Sequence, residues 1–408
     1  MTTDEILFGV GLTFVLAVGS QVIAALVRVP ALIVLLPAGF IAGALTDDIH
    51  PDRLLGAAFQ PLVSLAVALI LYDAGLGLDP RKLPGGMRRV VIRLIMLGVG
   101  LSWATAALLA VPLLGMSGDA AVVLGAILVV SGPTVVGPLL AFVRPKDRLQ
   151  QILTWEGSLV DPIGGLLGAV VFAAVLDHSD SFGGQVAQFA ISLGVGLAGA
   201  VVGTMLLWLL LCKLQLSDVL RNCGQLAAVV AVAAACDMVR DDTGLIAAII
   251  MGLAVVHLPG VVRFERRPVS ETLVQLIIGL LFVSISSTVT PASLHHVVLP
   301  TLGLVAVLVV LTRPLAASLA TLGSGLPGSE RTFIAWMAPR GIVAAASATT
   351  FSEGLVNAGI KGASKILPAT FLVIAATVAL YGLTAVPVAR RLGVTAPEAD
   401  EHRDEKSR

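Results

Sequence analysis

The chain has 408 residues, 57% of them hydrophobic and 13% charged, with 26 basic residues balanced by 26 acidic ones. A soluble domain carries about a quarter charged residues, so this composition excludes a water-soluble globular protein, and a net charge of zero offers no footing to a nucleic acid. The apolar segments are long and hydrophobic all round, whereas barrel strands alternate over about ten residues; an all-α polytopic membrane protein, with lipid as its surrounding partner, is expected.

Taken in order, about thirteen transmembrane helices are expected, over residues 5–27, 31–46, 57–78, 90–114, 119–142, 151–176, 184–212, 219–239, 243–258, 270–290, 297–322, 332–353 and 366–389. A helix needs about 20 apolar residues to span a bilayer, so the second and ninth are short and the seventh is long enough to tilt. The acidic start, Met1-Thr2-Thr3-Asp4-Glu5, lacks the basic region of a signal peptide. Cys212, Cys223 and Cys236 give neither disulfide nor metal spacing. No catalytic constellation or cofactor motif is apparent, so neither an enzyme nor a resident cofactor is expected.

Loop charge orients the chain. Connections after odd-numbered spans hold Arg28; Arg81, Lys82, Arg88, Arg89 and Arg93; Arg144, Lys146 and Arg148; Lys213 and Arg221; Arg263, Arg266 and Arg267; Arg331; and Arg390 and Arg391. Connections after even-numbered spans hold only Arg53, Arg240, Lys361 and Lys365. Basic loops stay in the cytoplasm, which puts the N-terminus outside and the C-terminus inside a cell (inner or plasma) membrane.

Two spans are interrupted. The fifth contains Ser131-Gly132-Pro133-Thr134, and the twelfth Ala338-Pro339-Arg340-Gly341. Proline removes an amide donor and glycine loosens a helix, and irregular backbone at membrane depth survives only inside protein or beside a wet cavity. The breaks lie seven spans apart, an odd number, so the two helices run in opposite directions. Two inverted six-helix repeats follow: residues 1–182 (spans 1–6) and 214–390 (spans 8–13), joined by span 7 over 183–213 and followed by a short cytoplasmic tail, 391–408. Paired interrupted helices mark a transporter's binding site.

The sixth span carries two carboxylates, Glu156 and Asp161, within Trp155-Glu156-Gly157-Ser158-Leu159-Val160-Asp161-Pro162. An ionisable residue at membrane depth is a functional-site hypothesis by default. At 1.5 Å per residue Asp161 falls about 15 Å into the bilayer, near the midplane. Thr154, Ser158 and Asp161 share a helix face and can offer oxygens to a hard cation such as Na+ or K+. Glu156 points about 140° away around the same helix. Arg340, always charged, is its expected partner, because a lone arginine at that depth is too costly; the Glu156–Arg340 pair is read as structural. Arg313, followed by Pro314, is expected to snorkel to the inner surface.

Asp161 is left with no evident basic partner. Such an acid holds a proton or a cation in turn, which is the requirement for exchange, and one carboxylate gives the simplest stoichiometry, one cation for one proton, electroneutral. Ser131, Thr134 and Ser158 are candidate helpers. Asp73, near the inner end of span three, is either a further ligand or an interfacial acid solvated near the headgroups. Asp237, Asp241 and Asp242 are expected to be solvated at an outer helix end. The competing reading is a cation-coupled symporter of an organic solute, which would show a larger polar pocket.

These residues resemble bacterial sodium/proton exchangers of the monovalent cation:proton antiporter superfamily. The likeness rests on Glu156-Gly157-Ser158-Leu159-Val160-Asp161-Pro162, on Ser131-Gly132-Pro133-Thr134 and on Trp336-Met337-Ala338-Pro339-Arg340-Gly341-Ile342-Val343, and it extends over about residues 5–390. It implies a homodimer, thirteen helices with the unwound fifth and twelfth crossing, and elevator-like alternating access. Two positions depart from the resemblance: Val160 stands where many relatives carry asparagine, and Gly132 where many carry aspartate.

Overall fold

The computed structural model describes residues 2–83, 85–177, 182–214, 217–258 and 268–396. Arg263, Arg266, Arg267 and the tail beyond residue 396 lie outside the described residues. Among the described residues the secondary structure is helical throughout, apart from an isolated bridge between Pro145 and Thr395.

The first four long helices are α1 (Thr3–Val27), α2 (Leu32–Leu45), α3 (Phe59–Leu76) and α4 (Gly85–Leu114). The fifth element is split into α5a (Gly118–Ile127) and α5b (Pro133–Val143). Then come α6 (Asp147–Asp177), α7 (Phe182–Trp208), α8 (Asp218–Val239), α9 (Thr243–Val255) and α10 (Pro268–Ser287). The eleventh comprises α11a (Val298–Val307), a π-helical turn over Leu308–Thr312, and α11b (Arg313–Ala320). The twelfth is split into α12a (Gly328–Trp336) and α12b (Ile342–Asn357), and α13 (Ile366–Leu392) closes the bundle. Each expected span is therefore a helix or a pair of half-helices. Among the described residues eight helices are long and apolar enough to cross a membrane alone, and the shorter apolar ones include α2, α5a, α5b and α9.

Local chemistry sets the boundaries. Thr2 and Glu5 form a reciprocal capping box at the start of α1. The proline-bearing sequences of spans five and twelve stop the helix and restart it: Pro133 occupies the first turn of α5b, where its missing N–H costs nothing. Gly393, left-handed at φ 63°, ends α13. The chain then turns back so that Lys146 N–H donates to the Val394 carbonyl (2.9 Å) and Ala396 N–H to the Arg144 carbonyl (2.8 Å). This ties the last described residues to the α5b–α6 connection.

Helix packing relies on backbone contact. A methyl at Gly252 of α9 would strike the carbonyl oxygen of Tyr72 on α3, and one at Gly39 of α2 would strike that of Val283 on α10. Small residues permit such approach in a membrane bundle, where lipid tails provide no hydrophobic drive between helices. The outward faces of α1 and α7 stay apolar and exposed, with Leu26 at 78% and Met205 at 68%, as a lipid-facing surface requires.

Candidate functional site

The two breaks touch. Gly132 is the N-cap of α5b and Gly341 the N-cap of α12b. A methyl added to Gly341 would fall 2.7 Å from the amide nitrogen and 3.0 Å from the Cα of Gly132. Both half-helices thus begin at one point, and each helix N-terminus carries roughly half a positive charge. Backbone this close leaves no room for a Cβ on Gly341.

Helix α6 runs along the first break. Gly157 packs on Val136, Gly164 on Val130, and between them Asp161 lies against Gly132. A methyl at Gly132 would sit 2.8 Å from Oδ2 and 3.0 Å from both Cγ and Oδ1 of Asp161, and one at Gly341 would sit 3.6 Å from Oδ1. The carboxylate therefore rests against the crossing, where two half-helix N-termini meet. It is 1% exposed, and neither oxygen has a hydrogen-bond partner among the described residues. Thr134 Oγ1 in the first turn of α5b and Ser158 Oγ one turn before Asp161 are likewise buried and unpaired. Elsewhere the buried hydroxyls of Thr321, Thr349 and Thr377 bond back to carbonyls of their own helices. Buried polar groups are nearly always paired. Asp161, Thr134 and Ser158, on adjoining elements, all carry buried oxygens without partners, as Thr301 and Thr370 do elsewhere among the described residues.

Glu156 corrects the expected ion pair. Its partner is Arg313, not Arg340: Nη1 of Arg313 donates to Oε1, and Nη2 to Oε2 at 2.9 Å, in a two-pronged bridge. Arg313 Nε also donates to the carbonyl of Ile334 at 3.0 Å. At 8% exposure Arg313 does not snorkel. The π-helical turn just before it interrupts the regular α-helical register, a local irregularity that helical spacing alone does not anticipate.

Arg340 satisfies itself differently. Its Nη1 donates to the Val129 carbonyl at 2.7 Å, just past the end of α5a, and its Nη2 approaches Ser102 Oγ at 3.5 Å. Its own amide reaches Thr377 Oγ1 at 3.4 Å. A cation at the C-terminal end of a half-helix meets that helix's negative pole, so no carboxylate is needed. A cavity of about 20 Å³, lined by residues including Ser102, Ser131, Glu156, Arg313 and Arg340, lies between these groups; that volume admits one water.

The other expected site residues divide. Ser131 is half-buried and lines the small cavities beside Glu156 and Arg313. Asp73 is half-buried near the end of α3 and is not hydrogen-bonded to Asp161, whose oxygens accept from no group.

A wider cleft escaped the sequence. About 640 Å³ in volume, it lies between α3, α8 and α9 on one side and α6 and α12b on the other. Its rim carries Ser64, Asp237, Asp241 and Asp242. Asp237 is not simply solvated: it accepts from Ser64 Oγ at 2.8 Å and from the Gly244 amide at 2.7 Å. Asp242 lies in the α8–α9 connection, half-buried with a left-handed backbone. Burial, then the neighbouring Asp237 and Asp241 carboxylates, push its carboxyl up to about 7. The cleft reaches Val343 and Leu245, which both pack on Gly165, one turn beyond Asp161.

Crossed, interrupted helices around a buried acid define a multi-pass membrane protein of secondary-transporter architecture. The chain belongs to the sodium/hydrogen exchanger family, whose transmembrane model matches residues 11–391. It is 26% identical over 401 residues to the K(+)/H(+) antiporter NhaP of Alkalimonas amylolytica, covering 95% of this chain and 67% of that protein. It is 24% identical over 381 residues to the K(+)/H(+) antiporter NhaP2 of Shewanella baltica, covering 90% and 63%. The chain thus spans about two thirds of the length of these relatives. Its fold matches the sodium proton antiporter MjNhaP1 of Methanocaldococcus jannaschii with a TM-score of 0.78 at 21% identity, over 95% of this chain and 99% of that one.

Proposed function

We propose that this protein exchanges a monovalent cation, Na+ or K+, for a proton across the cell membrane, with both guests competing for Asp161. One observation carries the reading: a buried carboxylate without a partner, set at the junction of two broken helices. Thr134 and Ser158 supply further oxygens, with Ser131 contributing from the break and Asp73 on the approach. A carboxylate that neutralises one guest at a time moves one charge each way, so exchange is electroneutral. The organic-solute symporter gains no support, because the oxygens around Asp161 are few and, among the described residues, the wide cleft stops at Val343 and Leu245 short of them.

The inverted repeats, 1–182 and 214–390, are supported by packing. Gly39 on α2 meets Val283 on α10, and Gly252 on α9 meets Tyr72 on α3; the two pairs correspond by nearly the same shift along the chain. The crossing of Gly132 with Gly341 is the self-paired counterpart. The loop-charge asymmetry favours an external N-terminus and a cytoplasmic C-terminus. On that orientation the acid-rimmed cleft opens outward, and Val343 and Leu245 close it one turn short of Asp161. Alternating access then consists of moving the crossing past the α3–α9 wall. The exposed apolar faces of α1 and α7 offer surface for lipid and for a homodimer.

Everted vesicles provide the test. Addition of Na+ or K+ should collapse a preformed ΔpH with the wild-type protein and leave it intact with Asp161→Asn. Cation-dependent collapse surviving in Asp161→Asn removes Asp161 from the mechanism.

A further inference from the structure

Gly132 is an N-cap with φ −103° and ψ 157°, extended backbone that any residue can adopt. Backbone conformation therefore does not explain a glycine here; space does. A methyl would meet three carboxyl atoms of Asp161 at 2.8–3.0 Å, whereas carbon atoms prefer separations of about 3.5 Å or more. Something must retreat by about half an ångström or more. Gly341 packs against the Gly132 amide and Cα, which limits how far the break can shift. The side chain of Asp161 has to yield, and it moves against a surround that is fully buried: Ser158 is 0% exposed and Thr134 2%.

We infer that Gly132 sets the size of the cation this site accepts. The inference rests on the reading of Asp161 as the exchange site and deepens it. Cavity size and the number of oxygens around an ion together decide selectivity among like-charged ions. The bare Cα of Gly132 lets the carboxylate lie close against the crossing, so an ion held by Asp161 keeps the room that a larger alkali ion needs. Volume added at residue 132 drives the carboxylate into that space, and the larger ion suffers first. Volume removed from the first turn of the same half-helix, at Thr134, acts in reverse. Thr134→Ser takes away one methyl, keeps the hydroxyl and introduces no new contact.

The experiment compares wild-type protein, Gly132→Ala, Thr134→Ser and Asp161→Asn in proteoliposomes, with ΔpH-driven exchange measured over Li+, Na+, K+ and Rb+. Stabilisation of the purified proteins by the same four cations on heating gives a readout that needs no turnover. With Gly132→Ala, half-saturation should rise at least tenfold more for K+ and Rb+ than for Li+ and Na+, and the thermal series should shift the same way. Thr134→Ser should move both series towards the larger ions, and decides the matter if Gly132→Ala does not fold. Equal changes for all four ions, or an opposite shift, overturn the role of Gly132 while leaving Asp161 in place if Asp161→Asn is inert. Wild-type protein that neither exchanges nor is stabilised by any cation overturns the exchange reading itself, and the size filter falls with it.

Discussion

Helix α6 carries two buried acids five residues apart, and the bundle treats them in opposite ways. Glu156 is locked by both prongs of the Arg313 guanidinium, which is itself anchored on the Ile334 carbonyl. Asp161 lies against the backbone of Gly132 and Gly341, and its oxygens have no hydrogen-bond partner among the described residues. Pairing a buried charge with a permanent countercharge fixes it, because losing either partner leaves an uncompensated ion in a low dielectric. Leaving one unpaired makes it dependent on whatever enters. On the proposed reading the same helix holds a rivet and a receptor.

The sharpest way to break this contrast is to neutralise the receptor. Asp161→Asn keeps the shape of the site and should abolish cation-dependent ΔpH collapse, with expression and thermal stability at or above wild type because a partnerless buried acid is removed. Arg313→Ala should act the other way: it strands Glu156 and costs about 3–5 kcal/mol, read as loss of folded protein and a lowered midpoint on heating. Glu156→Leu combined with Arg313→Leu should recover most of that loss, since apolar replacement of a buried pair is often neutral. If Arg313→Ala is as stable as wild type, the rivet is not one.

Arg340→Ala should cost less than Arg313→Ala. It removes hydrogen bonds to a carbonyl and a hydroxyl and leaves no acid unpaired, a loss of about 1–3 kcal/mol. The ranking of these two variants in thermal unfolding separates the observed pairing from the one that sequence alone suggested.

That difference shows what was legible. Hydropathy and proline placement located the apolar helices and the two interrupted ones among the described residues, because a membrane span is a local, composition-level property. The breaks were legible for the same reason, and Asp161 stood out because an acid at membrane depth is rare. The partner of Glu156 was not legible. Two arginines lay at membrane depth, and choosing between them required knowing that α11 carries a π-helical turn just before Arg313 and that the end of α5a presents a free carbonyl to Arg340. Both depend on backbone irregularity, which has no residue code of its own. The cleft and its acidic rim were hidden because Ser64 and the Asp237–Asp242 stretch are far apart in the chain and meet only after packing.

The helix contacts give a smaller, symmetric prediction. Gly39→Ala and Gly252→Ala each force backbone apart at one of two corresponding crossings, a cost of about 1–3 kcal/mol. Similar losses at the two positions in thermal unfolding would support the repeat relation, and a severe loss at one with none at the other would argue against it.

The mildest effect is expected at the rim, where the acids contrast with Asp161 in being reachable by water. Asp242 titrates near 7 in the fold, well above an ordinary aspartate, because burial and two neighbouring carboxylates oppose its charge. A carboxyl whose folded value is raised binds its proton more tightly when folded than when unfolded, so stability declines as pH climbs from about 4 towards 7 and is flat above that. Asp242→Asn removes this dependence, and asparagine tolerates the left-handed backbone at that position. The variant should therefore melt a few degrees higher than wild type at pH 8.5 and no higher at pH 4. An equal gain at both pH values would mean that the relief comes from packing and not from charge. Repeating the exchange assay on this variant then asks whether the rim helps gather cations: half-saturation should rise modestly at low ionic strength and converge with wild type as salt screens the rim over about 10 Å at 0.1 M.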